Sequence, residues 1–574
     1  MQDLVKKPLK EVDSIFKACK YDSEKTVETV LEFFKKQLDC STKDLLKVPS
    51  LNDIPQDQLR VGQLVRFRCM IQDMYDPEYF MPAYRKDDAV ITSLFRDPFD
   101  EDFGDEIVDS RPMDRSTWHC IAIPAENEWV INGYHQAFIA LTTSKSVDID
   151  MATNQNEEVP KKKSRFQHGE VNEAGHLRPN CFPLPTHQKS CIVKVYMDNA
   201  NIRLNDVIEV IGILSHFPEK TDENQAETAP FGSDEYYFKN PPSSLVPRVH
   251  AVFCKKITHQ NPLLGYYVEE ESAIVRRRVL EEAPKWRSEF LSILKQVFLG
   301  DEQTAEYVLL HLISRVYVRH DVLPLGKFSL NLRNVAGEQA KLLAELLSQL
   351  VTKSHLVPMS LEFLNGTKFI PSKDYDLNRL KSGLLQLSDG THIICDENAL
   401  ESGQLNAIGV ENVKALGNMI QNQSVQYNFG FHQMEFYTDV PVLYVSQGKG
   451  LIRCDFQVKL QPTQSLDKLS EVASTLKEHL TEELLTNLRR YVTIMKISDQ
   501  RLSEDMQKAV QEDFVAMRTA NSTMTADDLH NLLVVARYVA LSKGELDLSP
   551  ESWIHAKELE AERLARCTQN WQTA

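Results

Sequence analysis

The sequence predicts an α+β, multidomain protein: a β-barrel half, an α/β core and a helical C-terminal cap. Three observations carry this prediction. Short β-rich runs separated by polar turns fill residues 46–260, strand and helix patterns alternate through 261–490, and helical periodicity alone remains over 491–574. A helical segment, 1–45, precedes them. The chain has 574 residues, room for three or four domains of roughly 150 residues each. Its hydrophobic share of 42% supplies a sizeable core.

Each element follows from its pattern. VETVLEFFKKQL places Val27, Val30, Leu31, Phe34 and Leu38 on one helical face. GQLVRFRCMIQDM then alternates Leu64, Arg66 and Arg68 with Val65, Phe67 and Cys69, as a strand does. TWHCIAIP, SCIVKVYM, NDVIEVIGILSHF and LVPRVHAVFCKKI read as further strands of a small barrel or sandwich. The polar stretch of about 142–180 interrupts them and lacks the apolar residues that would offset ordering entropy, so it reads as a disordered insert. It carries a basic run, Lys161, Lys162, Lys163 and Arg165, which reads either as a nuclear-localisation signal or as a solvated charge run.

Beyond His259 the pattern changes. The segment 261–300 is largely helical, and a clear helix follows Asp301. KFSLNL predicts a strand, EQAKLLAELLSQLV a helix, and LEFLNGTKFI a strand. LKSGLLQLSDGTHIICDENAL predicts a helix, a turn at Asp389–Gly390 and a buried strand. DVPVLYVSQ and CDFQVKLQ are strands, with Gly448–Lys449–Gly450 read as a hairpin turn. From about Arg490 helices dominate. Thr525 with Asp528 forms a capping box, and Pro550 opens the last helix.

Charge and composition exclude several functions. With 65 Lys+Arg against 82 Asp+Glu, a net charge of −17 argues against coating duplex DNA, which needs basic residues to neutralise phosphates. The ten cysteines form no CxxC pair, so they read as buried thiols and not as zinc ligands. No apolar run spans a bilayer and no signal peptide is expected. No GxSxG, HExxH or GxGxxG motif occurs, and His311, beside an apolar helix face, reads as a surface or satisfied residue. Glycine is scarce, 21 in all, which leaves few positions for phosphate-cradling loops.

One element looks catalytic: Asp396–Glu397, ending the apolar strand THIIC. In an NTPase the Asp at such a position holds magnesium and the Glu polarises the attacking water. The surroundings, Leu387–Ser388–Asp389–Gly390 then Ile393–Ile394–Cys395–Asp396–Glu397, resemble the AAA+ core of the minichromosome maintenance (MCM) helicase subunits. TADDLHNLLVVARYVA resembles the MCM lid, with Thr525, Leu529, Leu532, Ala536 and Arg537 at compatible positions. The departures weigh more. After KFSLNL comes RNVAGEQAKLL, with Gly337 but no GxxxxGK[ST]. Gly326–Lys327 precedes the strand. Asp527 stands where the lid arginine is expected, and Ser446–Gln447 where a sensor asparagine is expected. Arg453–Cys454–Asp455 is the only trace of an arginine finger. Asp396, Glu397 and Asp527 are therefore read as relics of an NTPase site, with no enzyme activity and no cofactor.

Longer runs, among them VRFRCMIQDMYDPEYFM, NDVIEVIGILS, RVYVRHDVLPLGKF, DYDLNRLKSGLLQL and NFGFHQMEF, resemble the MCM complex-binding protein family over about Ser50–Arg563. The resemblance implies an OB-like barrel, a degenerate AAA+-like core and a helical C-terminal lid. It implies a non-enzymatic nuclear factor that binds MCM helicase subunits, in complexes lacking one regular subunit. It further implies promotion of MCM unloading from chromatin, maintenance of the subunit pool during DNA replication, and a part in sister-chromatid cohesion. It leaves room for a weak chromatin association and implies no membrane partner. No residue is singled out as touching the partner. The alternative reading is a single-stranded nucleic-acid-binding OB-fold protein, using Arg60, Arg66, Arg68, Arg85 and Lys86.

Overall fold

The structure, a computed structural model, describes residues 2–39, 45, 47–86, 89–97, 106–107, 111–143, 189–196, 201–215, 241, 245–264, 269–520, 522 and 524–568. Three helices lead: α1 (Gln2–Lys6), α2 (Pro8–Ala18) and α3 (Ser23–Asp39). Their apolar stripe, including Phe16, Val30, Phe34 and Leu38, is buried against Leu64, Ile211, Ile213 and Val252. These last four lie on the strands that follow, so the helices cover an outer face of the sheet.

The long strand β1 (Leu64–Phe80) bends at two bulges. Short strands β2 (Ala83–Lys86), β3 (Ala89–Thr92) and β4 (Glu106–Ile107) form a side sheet. Then come β5 (Met113–Ile121), helix α4 (Glu128–Thr143), β6 (Ser190–Val195), β7 (Val207–Ser215) and β8 (Arg248–Lys256). The sheet closes as a barrel in the order β1-β5-β6-β8-β7, with β7 returning to β1. All pairs are antiparallel except β6 with β8. The expected alternation fills the interior with Val65, Phe67, Cys69, Trp118, Val193 and Val210. The described cysteines are free thiols, and burial pushes those of Cys69 and Cys191 up.

Helices α5 (Glu269–Glu281), α6 (Ala283–Val297) and α7 (Glu302–Leu312) follow, then a hairpin of β9 (Val318–His320) and β10 (Leu323–Leu325). The core is built on β11 (Leu330–Arg333), α8 (Gly337–Leu350), β12 (Ser354–Pro358), α9 (Leu361–Gly366), β13 (Ser372–Asp374), β14 (Arg379–Lys381), β15 (His392–Asp396), α10 (Ala407–Asn422), β16 (Ser424–Asn428), β17 (Gln433–Tyr437), β18 (Val442–Ser446) and β19 (Phe456–Lys459). Five strands make one parallel sheet, ordered β12-β15-β18-β11-β19. One apolar cluster joins this sheet to α5–α8 and the C-terminal helices; a second lies among α9, α10 and the β14-β13-β16-β17 sheet. The C-terminal helices are α11 (Leu469–His479), α12 (Glu482–Ile497), α13 (Glu504–Ala520), α14 (Ala526–Ser542) and α15 (Pro550–Thr568).

Four local expectations are corrected. Residues 361–366 form α9, not a strand, because Ser360 caps the segment by accepting the Phe363 N–H. Residues 382–387 are not helical: Leu384 and Leu385 donate to the carbonyls of Lys368 and Phe369, so their backbone is used across segments and not within a turn. Gly448–Gly450 is not a hairpin, since β18 and β19 flank β11 and both run parallel to it. The helical run begins at Leu469, and α12 spans the expected 490/491 boundary. The capping box at Thr525 and Asp528 is present as expected.

Barrel and core meet through direct hydrogen bonds. Asn127 Nδ2 and Trp129 Nε1 both donate to the Val351 carbonyl, at 2.8 and 2.9 Å. Gln72 Nε2 donates to the Leu380 carbonyl at 2.9 Å, and Leu380 N donates to Asp73 Oδ2 at 2.7 Å.

Candidate functional site

In a parallel sheet, ligands bind outside the carboxyl ends of the strands. Here that edge gathers the ends of β11, β15 and β18, and with them the expected relic residues Asp396 and Glu397. Apolar β15 is buried throughout and delivers Asp396 to its last position. The Asp396 carboxylate turns back on its own chain: Oδ1 accepts from Asn398 N at 3.1 Å and from Asn398 Nδ2 at 2.9 Å. Asn398 Nδ2 also reaches the Val335 carbonyl, at 3.2 Å.

Val335 lies in the link between β11 and α8, where a nucleotide-binding core holds its phosphate loop. That link is only Asn334–Ala336. Asn334 turns it with φ +63° and donates Nδ2 to the Leu460 carbonyl at 3.1 Å. A loop this short has no run of free N–H groups to surround phosphates. Asn398 also stands 3.7 Å from where a Gly337 Cβ would be, so its side chain occupies the mouth of the link.

The other expected groups are likewise engaged elsewhere. Glu397 Oε1 accepts from Leu451 N at 3.0 Å, and partial burial raises its carboxyl. The Ser446 hydroxyl is 3.1 Å from Asn331 Oδ1 and 3.1 Å from the Gly448 carbonyl. Lys327 pairs with Asp455, which also accepts from the Ser329 hydroxyl at 2.7 Å. Asp455 is thus held in a structural contact near the start of β11. Asp527 is exposed in the first turn of α14 beside His530, which feels Lys327 and Asp455 next to the start of β11, whereas Asp396 stands at the end of β15. The structure therefore brings Asp396 and Glu397 together and leaves Asp527 apart.

Lys161, Lys162, Lys163 and Arg165 lie outside the described residues. So does the side chain of Lys86. Of the other basic barrel residues, Arg60 and Arg85 are exposed. Arg66 and Arg68 are buried: Arg66 pairs with Glu209 at 3.2 Å, and Arg68 pairs with Glu126 and stacks over the Tyr134 ring. A guanidinium so neutralised adds little attraction for a nucleic-acid phosphate.

Among the described residues no group of three or more His, Cys, Asp or Glu could hold a metal, and no helix is long and apolar enough to cross a membrane. His311 is fully buried; its Nδ1 donates to the Phe328 carbonyl, 2.8 Å away, and burial lowers it to about 4.

Sequence reasoning missed a cavity of about 390 Å³ at the opposite, amino-terminal edge of the parallel sheet, between barrel, core and α12. Its residues come from distant segments, among them Lys256, Arg315, Lys353, His392, Asp439 and Lys496. The turn Ser388–Asp389–Gly390 also lines it, but the sequence marked that turn for another reason and no local motif joins it to the rest.

The family model described as mini-chromosome maintenance replisome factor matches residues 34–174 and 139–567 of the chain. Three similar proteins carry the name mini-chromosome maintenance complex-binding protein. The Gallus gallus protein is 38% identical, with 94% of each chain covered. The Homo sapiens protein is 36% identical, again with 94% of each chain covered. The Drosophila melanogaster protein is 31% identical, covering 92% of this chain and 94% of its own.

Proposed function

Because the chain belongs to the mini-chromosome maintenance replisome factor family, we propose that it binds MCM helicase subunits in DNA replication as a partner protein and not as an ATPase. The observation that carries this reading is the closed carboxyl edge of the parallel sheet. Asn398 ties Asp396 to the Val335 carbonyl across a three-residue link where phosphates would sit.

Strand orders support a subunit-like architecture. Numbered within the barrel, its strands run 1-2-3-5-4 and return to 1, with strands 3 and 5 parallel, the arrangement of an OB barrel. Numbered within the core, the sheet runs 5-1-4-3-2, the order of an AAA+ domain. On this reading the protein is a shortened relative of an MCM subunit, with an OB-like barrel, a degenerate AAA+-like core and a helical lid. It presents subunit-like surfaces to MCM neighbours and completes no ATP site. Seated in an assembly lacking one regular subunit, it caps or breaks the ring and so promotes unloading from chromatin. Nuclear localisation through Lys161–Arg165, upkeep of the subunit pool and a part in cohesion complete the proposal.

Affinity purification of the tagged chain from nuclear extract tests it, with co-purifying proteins identified by mass spectrometry. MCM subunits, short of one of the regular set, are expected equally with the native chain and with Asp396→Ala. Absence of MCM subunits refutes partner binding. Loss of association in Asp396→Ala together with loss of ATP binding refutes the closed-site argument.

A further inference from the structure

The cavity at the amino-terminal edge of the parallel sheet has an unusual charge arrangement. Lys353, immediately before β12, is 1% exposed. A fully buried lysine is rare unless paired with a carboxylate. Here the Nζ donates only to neutral oxygens, the Ser388 hydroxyl and the Asp389 carbonyl, each at 2.7 Å. Lys496, on α12, lines the same space, and its Nζ is 3.1 Å from His392 Nε2. Neither ammonium has a carboxylate within ion-pair distance among the described residues. Burial brings Lys353 down to about 7, with the Lys496 charge adding to the fall and the more distant carboxylates of Asp389, Glu126 and Asp439 opposing it; burial lowers Lys496 as well.

Further polar atoms in the lining have no protein partner. His392 is 3% exposed and its Nδ1 is unpaired; Arg315 leaves its buried Nε unpaired while its Nη2 pairs with Asp499. The acids at the cavity are occupied elsewhere. Asp206 pairs with Lys256 at 2.7 Å. Asp439 Oδ1 accepts from Val316 N at 3.0 Å, and Asp389 Oδ1 accepts from Asp439 N at 2.9 Å. Burial raises Asp439 to about 6, so its counter-charge is present at neutral pH and falls away below it. The space, about 390 Å³, falls within the usual range for small-molecule sites.

We propose that this cavity binds a small phosphate-bearing anion, a free phosphate or diphosphate group, held between Lys353 and Lys496 with Arg315 beside them. The anion supplies the direct ion pair that neither lysine makes, since Asp389, Asp439 and Glu126 act on them only from beyond ion-pair distance. Ser388 keeps Lys353 oriented towards it, since the ammonium has three protons to donate and the neutral oxygens around it carry no charge to satisfy it. The ligand touches the end of the barrel, the sheet and α12 at once, so its binding tightens the joint among them. This site is separate from the closed carboxyl edge and does not depend on partner binding.

Isothermal titration of the full chain with pyrophosphate, inorganic phosphate and sulfate tests the assignment. One site per chain is expected, with pyrophosphate binding tightest. Lys353→Met and Lys496→Met should each weaken pyrophosphate at least tenfold. Sulfate carries no titrating proton near neutrality. Its binding at pH 7.5 should therefore take up a fraction of a proton, seen as a heat that varies with buffer ionisation, as Lys353 becomes fully charged. The charged and titratable groups facing Lys353 and Lys496 are Asp389, Asp439, Glu126, Arg315 and His392, with His311 behind it. No saturable heat with the native chain at millimolar anion overturns the proposal. So does binding that neither variant weakens, or sulfate binding without proton uptake. Should Lys353→Met fail to fold by circular dichroism, Lys496→Met and the native proton count still decide.

Discussion

Replacing Asp97 with asparagine should unlatch the barrel. The Asp97 carboxylate is 3% exposed and accepts three hydrogen bonds: Lys194 Nζ at 2.8 Å, Arg115 Nη2 at 2.9 Å and His250 Nε2 at 3.2 Å. Burial by itself would push its carboxyl up; His250, Lys194 and Arg115 beside it hold it well below the carboxylate range. Glu78 shares both cations, at 3.0 Å from Lys194 and 3.0 Å from Arg115. Two buried cations thus face two carboxylates. The substitution Asp97→Asn would remove one of the two negative charges, and the NH₂ of the new amide would oppose one of the donors. Breaking a buried pair costs about 3–5 kcal/mol, and the remaining Glu78, 40% exposed, favours the lower end. About 3 kcal/mol corresponds to a hundredfold change in an opening equilibrium. Hydrogen exchange read on peptides of β6 and β8 measures that opening locally. Protection there should fall about a hundredfold in Asp97→Asn and recover in part when Lys194→Met restores the charge balance. A fall of less than tenfold, or no recovery in the double variant, refutes the reasoning.

Two further outcomes follow from the same barrel and core. Burial lowers His119, His250 and His311 each to about 4, against about 6.5 unfolded. Between those values the unfolded chain binds more protons, so stability is full above pH 6.5 and is lost towards pH 4, by up to ~1.4 kcal/mol per pH unit for each residue. Asp439, raised to about 6, opposes this by one proton. The urea midpoint should therefore drop from pH 7 to pH 5; a flat or rising midpoint contradicts the assignment. Gly212→Ala places a Cβ 2.3 Å from the His250 carbonyl oxygen and 2.5 Å from Val249 Cγ1, where β7 meets β8. It should cost roughly 1–3 kcal/mol in a thermal melt. Gly366→Ala, with nothing within 4 Å of the added methyl, should stay within about 0.5 kcal/mol, and equal effects would refute the steric account.

What was legible in the sequence had a local cause. Alternation of Val65, Phe67 and Cys69 with Arg66 and Arg68 identified β1, since one set fills the barrel and the other lies on the opposite face. Thr525 and Asp528 marked the start of α14 because a capping box is complete within four residues. The strand end at Asp396 was legible because β15 is apolar and buried up to that point. Failures arose where tertiary pairing outweighed local pattern. LEFL reads equally as strand or helix until Ser360 is seen to cap it. LLQL looks helical, yet its N–H groups are taken by a neighbouring segment. The fate of Arg66 and Arg68 was hidden for the same reason: Glu209 and Glu126 lie far along the chain. Lys353 sits in VTKSHL, an ordinary string whose chemistry comes entirely from what packs around it.

The seam between β5 and β6 bears on how the barrel assembles. Cys120 opposes Cys191 in register, though the chain departs at Ile121 and returns only at Ser190. Closing such a long loop is the slow, entropically costly part of folding, and a contact of this separation belongs among the last to form. Once that cost is met, length hardly matters: doubling the intervening chain adds only about 0.6 kcal/mol. The seam is held by its own side-chain register, with Trp118 against Val193 and Cys120 against Cys191. The register of the seam therefore sets no requirement on how many residues separate Thr143 from Lys189, whereas Glu126, Asn127 and Trp129, just after β5, are fixed by their contacts with Arg68 and Val351.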